Sequence, residues 1–156
     1  MSKNKRPSKD YSPKNKPVVS DPPENSEVMT PVWQFHRCDK DHENWGWNKI
    51  GCDELKSLLK SLASLEGLTW AQIRAQSGGR DHGTNSHFLR WEQFSKDAQD
   101  QLKELKLEEY QDQLFSLRIE NTLRLYGIRE GRVLKFVFHD PHHERGNPNA
   151  AYRWGS

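Results

Sequence analysis

The sequence predicts an α+β fold: an N-terminal strand, then two to three helices packed on a C-terminal three-stranded antiparallel meander. Three observations carry this. Leu55, Leu58, Leu59, Leu62 and Leu65 recur at helical spacing. Between residues 113 and 139, three segments alternate apolar and polar side chains, the period of a half-buried strand. The apolar residues are scarce, 33% of 156 with a mean hydropathy of −1.05, and are concentrated beyond residue 30. A packed unit therefore occupies part of the chain, and the expected division is a disordered basic tail over 1–30, one domain over 31–145 and a flexible tail over 146–156.

Within that domain, Val32-Trp33-Gln34-Phe35-His36 alternates and reads as the first strand. Residues 39–51 read as a polar loop. Asp53 is placed to cap the leucine helix, with all five leucines inward, and Gly67 to end it. Thr69 and Gln72 have capping-box spacing and open a second short helix through Ile73. Ser95 can cap a third, with Ala98, Leu102 and Leu105 inward and an acidic outer face.

The three strands are expected at approximately 113–120, 123–129 and 132–139. Their register follows from pattern, because a one-residue slip would turn every apolar side chain outward. Leu117 and Ile119 share a face with Leu123 and Leu125 if Ile119 opposes Leu123, which sets Arg118 opposite Arg124. A turn centred on Glu130-Gly131 then sets Leu125 opposite Phe136 and Arg124 opposite Val137. One face is apolar. The other carries Arg118, Arg124, Tyr126, Lys135 and His139.

Charge bounds what that face can bind. Residues 1–17 hold six Lys or Arg against Asp10, so +5 of the total +2 lies there and the rest of the chain carries −3. Bulk electrostatic attraction to nucleic acid is thus weak, and binding must come from a local patch. Facing arginines repel and want an anion. That anion is either a carboxylate from a loop or the acidic third helix, or a phosphate, which the guanidinium fork matches. Just past the sheet stands His139-Asp140-Pro141-His142-His143-Glu144. It reads as a solvated turn, as a proton-transfer group near neutral pH, or as a set of metal-ligand types whose spacing fits no specific zinc pattern. No metal and no cofactor is expected.

Phosphate-loop, dinucleotide and nucleophile-elbow motifs are missing from the sequence. No window approaches a membrane span, and the charged N-terminus is followed by no apolar stretch of a secretory signal. Only Cys38 and Cys52 are present, which gives no disulfide framework. A cytoplasmic protein without membrane partners is expected.

At Leu117-Arg118-Ile119, Leu123-Arg124-Leu125-Tyr126-Gly127-Ile128 and Phe136-Val137-Phe138-His139-Asp140-Pro141-His142-His143 the chain is similar to small uncharacterised bacterial proteins. Those proteins end in an Arg-x-x-Gly strand, a hairpin and an Asp-Pro-x-His turn. More distantly, the sheet resembles the RelE/ParE-like toxin superfamily, in which two helices precede an antiparallel sheet and sheet arginines act with late His or Tyr residues. The resemblance implies a metal-independent endoribonuclease of the mRNA interferase type, from a bacterial toxin–antitoxin or phage-defence system. Its partners would be RNA or the ribosome and a cognate antitoxin. The resemblance would give Arg118 and Arg124 to phosphate and His143 to the proton. The residues themselves add either His82 or His87 as a second proton-transfer group, with His87 and Asp140 as further catalytic candidates and Tyr126, Lys135, His139 and His82 as binding candidates. The alternative is a non-enzymatic module that binds nucleic acid or protein through the same face.

Overall fold

The computed structural model describes residues 23–76 and 85–154. Four α-helices and five strands follow one another: α1 (Pro23–Glu27), β1 (Val32–Gln34), α2 (Cys52–Leu65), α3 (Trp70–Ala75), β2 (His87–Phe88), α4 (Lys96–Glu104), β3 (Leu114–Arg118), β4 (Arg124–Glu130) and β5 (Val133–Asp140). Short 3-10 turns stand at Trp47–Lys49, Trp91–Gln93 and Glu108–Gln113. The fold is α+β, but the sheet is five-stranded and mixed, in the order β1-β5-β4-β3-β2. The antiparallel run β3-β4-β5 is its middle. β1 adds to β5 in parallel, and β2 adds to β3 antiparallel.

Local chemistry sets the helices. Thr69 Oγ1 accepts from the Gln72 N–H at 3.2 Å while Gln72 returns a bond to the Thr69 N–H at 2.9 Å, a complete capping box. Ser95 Oγ accepts from the Ala98 N–H at 3.1 Å and starts α4. α2 starts two residues earlier than expected. Gly51 is its cap and donates its N–H to Glu54 Oε1 at 2.7 Å, so Asp53 lies inside the first turn, where its charge suits the helix dipole. Only Leu58, Leu62 and Leu65 of the leucine stripe are buried. Leu55 and Leu59 remain 43% and 54% exposed, because α2 meets the sheet along a single seam.

Both faces of the sheet are covered, which corrects the expectation of one apolar and one basic face. α2 and α3 lie over Phe115, Leu117, Leu125, Leu134 and Phe136. On the other side α4, Trp45 and the C-terminal segment lie over Leu114, Tyr126, Ile128, Val137 and Phe138. Packing starts before Pro31. Glu27 of α1 bonds Arg129 at 2.6 Å and Arg74 at 3.0 Å, and the Arg129 guanidinium lies 4.1 Å from the Trp70 ring centroid. Partial burial alone would raise the Glu27 carboxyl, but the Arg129 hydrogen bond and charge, with Arg74, hold it below its ordinary value. At the far end, residues 150–153 of the expected loose tail are docked. Ala151 is fully buried, and Tyr152 forms an antiparallel bridge with Phe94.

Register is the second correction. Arg118 does oppose Arg124. Beyond that, Leu125 pairs with His139 and Arg124 with Asp140, not with Phe136 and Val137. Two causes add. Glu130 pairs with Val133, so the turn is Gly131-Arg132, one residue later than expected. Gly131 has φ 63°, which suits the first position of a II′-type hairpin. Then Tyr126 pairs with Phe138 while Gly127 pairs with Phe136, leaving Val137 over as a β-bulge. Its carbonyl accepts from the Asp39 N–H at 2.9 Å and Trp47 Nε1 at 3.2 Å.

Gly127 is required at this bulge. A Cβ there would sit 2.2 Å from the Lys135 carbonyl oxygen, a rigid backbone atom. Gly127→Ala should therefore destabilise the protein by about 1–3 kcal/mol or more, the range for overpacking. Gly67→Ala, whose Cβ would have its nearest neighbour at 3.9 Å, should be neutral or stabilising by up to about 1 kcal/mol. Urea unfolding of the two variants beside the wild type checks both signs.

Candidate functional site

The register builds two side-chain rows on the face shared with α4. Partners directly opposite on a sheet point the same way. His87, Ser116, Tyr126 and Phe138 form one row, and Arg118, Arg124 and Asp140 form the next. The Asp140–Glu144 turn then folds back over them, and the His143 N–H donates to the Thr122 carbonyl at 2.9 Å. Six of the expected site residues thus gather at one end of the sheet: Arg118, Arg124, Tyr126, Asp140, His143 and His87.

Burial divides the six. Arg124 is 1% exposed, and its Nη1 donates to the carbonyls of Glu120 at 2.6 Å, Asn121 at 3.2 Å and Leu123 at 3.2 Å. It staples the β3–β4 turn. Burial lowers it to about 10, and the charge of Asp140, directly opposite on β5, works against that shift. Asp140 has no exposed surface. Its two carboxylate oxygens accept from the His142 and Ala151 N–H groups, each at 2.8 Å. The carboxylate facing the arginines therefore comes from the neighbouring strand, not from a loop or the third helix. Burial raises Asp140 to about 6, against the pull of those hydrogen bonds, His142 and Arg124. Tyr126 is 1% exposed and cannot stack on a base, which corrects its expected surface role.

Three residues remain half-exposed: Arg118, His87 and His143. Arg118 Nη2 bonds Asn121 Oδ1 at 2.9 Å, while its Nε is shielded from solvent and has no partner among the described residues. The histidines are fixed in opposite ways. His87 Nδ1 lies 2.7 Å from the Asn85 carbonyl oxygen, which only accepts, so Nδ1 donates there and Nε2 is left outside that bond. His143 Nδ1 lies 3.3 Å from the Tyr126 hydroxyl. Burial raises the phenol well above its ordinary value and a Ser116 hydrogen bond opposes the rise, so Tyr126 keeps its proton. With the phenol donating to His143 Nδ1, the ring proton stands on Nε2. Burial first, then the charges of Arg124 and His87, lower His143 to about 3, and the ring is neutral at physiological pH.

Other expected members lie elsewhere. Lys135 is on the same face but two rows away, ion-paired with Glu130 at 2.5 Å. His139 stands on the opposite face against Trp47, because the bulge changes the side to which β5 residues beyond Val137 point. His82 lies outside the described residues. Among the described residues, no three His, Cys, Asp or Glu side chains converge as a metal site would need, and no helix is long and apolar enough to cross a membrane. Tyr152, the tyrosine that the sequence offers beyond the sheet, and Trp154, which sequence reasoning missed, pack their rings on His143 at 5.3 and 4.9 Å between centroids. Their alternate spacing was the available signal. No family model, curated protein or solved structure matches the chain.

The two buried shifts oppose each other in acid. Unfolded His143 takes a proton below about pH 6.5, whereas the folded ring resists until about 3, so acid costs stability through it. Asp140 does the reverse: the folded carboxyl protonates near 6 and the unfolded one near about 3.9, so acidification over that window favours the fold. In His143→Gln the first effect is gone. The variant's stability relative to wild type should improve as pH falls from 6.5 towards 3, by at most about 1.4 kcal/mol per pH unit and less for solvent screening of a half-exposed ring. Denaturant titrations at several pH values read the slope. A difference constant with pH would contradict the neutral His143.

Proposed function

We propose that the chain is a toxin-like, metal-independent endoribonuclease whose reaction centre is His87, His143 and Arg118. The observation that carries this is the pair of imidazoles in complementary states beside a half-exposed arginine. Cleavage through the 2′-hydroxyl needs a base, donors for the charged phosphorane and a cation. The His87 Nε2 lone pair takes the 2′-hydroxyl proton. The 2′-oxygen then bonds to phosphorus and the 5′-oxygen departs, taking a proton from solvent. The Arg118 guanidinium and His143 Nε2–H stabilise the non-bridging oxygens as charge develops on them. Tyr126, Ser116, Arg124 and Asp140 hold this arrangement from behind. In the toxin reading the substrate is mRNA, free or on the ribosome, and a cognate antitoxin covers the site.

A second reading, a non-enzymatic nucleic-acid- or protein-binding module, is favoured by one observation: Arg124, the second expected phosphate ligand, is buried against backbone carbonyls. Arg118 is then the single sheet arginine of the pair open to a ligand.

Purified protein incubated with RNA, with and without ribosomes, should generate new RNA ends. His87→Ala should slow this by about 10²–10⁴-fold, the usual worth of a positioned base. Arg118→Ala should cost about 2.7–4 kcal/mol in the barrier, as loss of one charge-stabilising donor does. Lys135→Ala and Arg145→Ala should change little. If no new ends form under either condition while RNA still binds, the binding module is the correct reading.

A further inference from the structure

We propose that Trp154, backed by Tyr152, is a stacking platform for one unpaired base of a single-stranded RNA whose phosphate lies at Arg118. This rests on the RNA reading of the same site and names the form of substrate it takes. The C-terminal segment is fixed in place. The Ser95 N–H donates to the Ala151 carbonyl, and the Arg153 N–H to the Gln93 carbonyl, both at 2.7 Å. Asp140 holds the Ala151 N–H from the other side. Tyr152 and Trp154 are two residues apart on this extended segment, so both point the same way. They meet edge to face at 5.0 Å, and both rings contact His143.

Trp154 differs from Trp45, Trp47 and Trp70. Those three donate their indole N–H to the carbonyls of Asn149, Val137 and Arg132, and each packs in or against a core cluster. Trp154 belongs to neither cluster, stays half-exposed, and its N–H makes no hydrogen bond among the described residues. A large ring held rigidly outside both cores, next to a half-exposed histidine and the Arg118 end of the sheet, has the parts of a single-strand platform: an aromatic face for a base and a cation for its phosphate. Charge argues for the base contact. Beyond residue 17 the chain carries −3, so polyelectrolyte attraction is weak and affinity must come from elsewhere. A base within a duplex has both faces already stacked, which selects a single strand.

The test uses the full chain and a six-nucleotide 2′-O-methyl RNA, which binds but cannot be cleaved through the blocked hydroxyl. Trp154→Ala should bind it about 5–100-fold more weakly and Trp154→Phe nearly as well as wild type. The wild type should bind the same oligonucleotide poorly when one base is replaced by an abasic unit, and poorly as a hairpin duplex. This arm depends on no variant's folding. Equal wild-type affinity for the intact, abasic and duplex probes, or unchanged affinity of a folded Trp154→Ala, overturns the platform. Failure of the two readings is separable: base-dependent binding without RNA cleavage removes only the ribonuclease, and His87-dependent cleavage with indifferent Trp154 removes only the platform.

Discussion

The extra residue Val137 on β5 is the constraint on which the rest of the structure depends. Opposite it, Gly127 allows the backbones to approach more closely than a side chain would permit. The bulge puts the neighbours Val137 and Phe138 into one core, sends His139 to the other face, and sets Asp140 opposite Arg124. Without it Asp140 would leave the row it shares with both arginines. The His142 and Ala151 backbones it holds would then have no common anchor. The same bulge turns the Val137 carbonyl towards the loop after β1, which supplies Asp39 and Trp47 as donors. One additional residue thus fixes both the edge of the sheet and the geometry of its functional end.

This explains what was legible in the sequence. Periodicity and caps are local, so Thr69, Gln72, Ser95 and the β3–β4 pairing of Arg118 with Arg124 could be read directly. The bulge is a two-strand property. Its mark in the sequence is Gly127 in the interior of a strand, a residue type that often signals close backbone approach. The second buried face was hidden for a related reason. Tyr126, Arg124 and Asp140 are polar by residue type, but each is buried with hydrogen-bond partners that alternation cannot reveal. Leu55 and Leu59 fail in the opposite sense: a helical stripe shows which residues could face a partner, not how wide the seam is.

The candidate site accordingly has a buried half and an open half with different duties. Buried Arg124 and Asp140 oppose each other's charge and occupy backbone groups, so they fix positions and are withdrawn from solvent. The open half, Arg118, His87 and His143, keeps a guanidinium and two imidazoles half-exposed. Removing a member of the first group would alter the second through position alone.

The pairing of β1 with β5 bears on when this protein can exist as a folded species. The first strand among the described residues pairs with the fifth, at Val133–Asp140, and the second oxygen of the Asp140 carboxylate waits for Ala151. The helices α2 and α3 have no finished sheet to lie on before then. During synthesis, which proceeds from the N-terminus, the nascent chain holds separate helices and an unpaired β1 until β5 has emerged from the ribosome. Such long sequence separation between partners also slows folding. The arrangement of His87, His143 and Arg118 therefore comes into being only once the segment through Ala151 has been made and paired, long after α2 and α3.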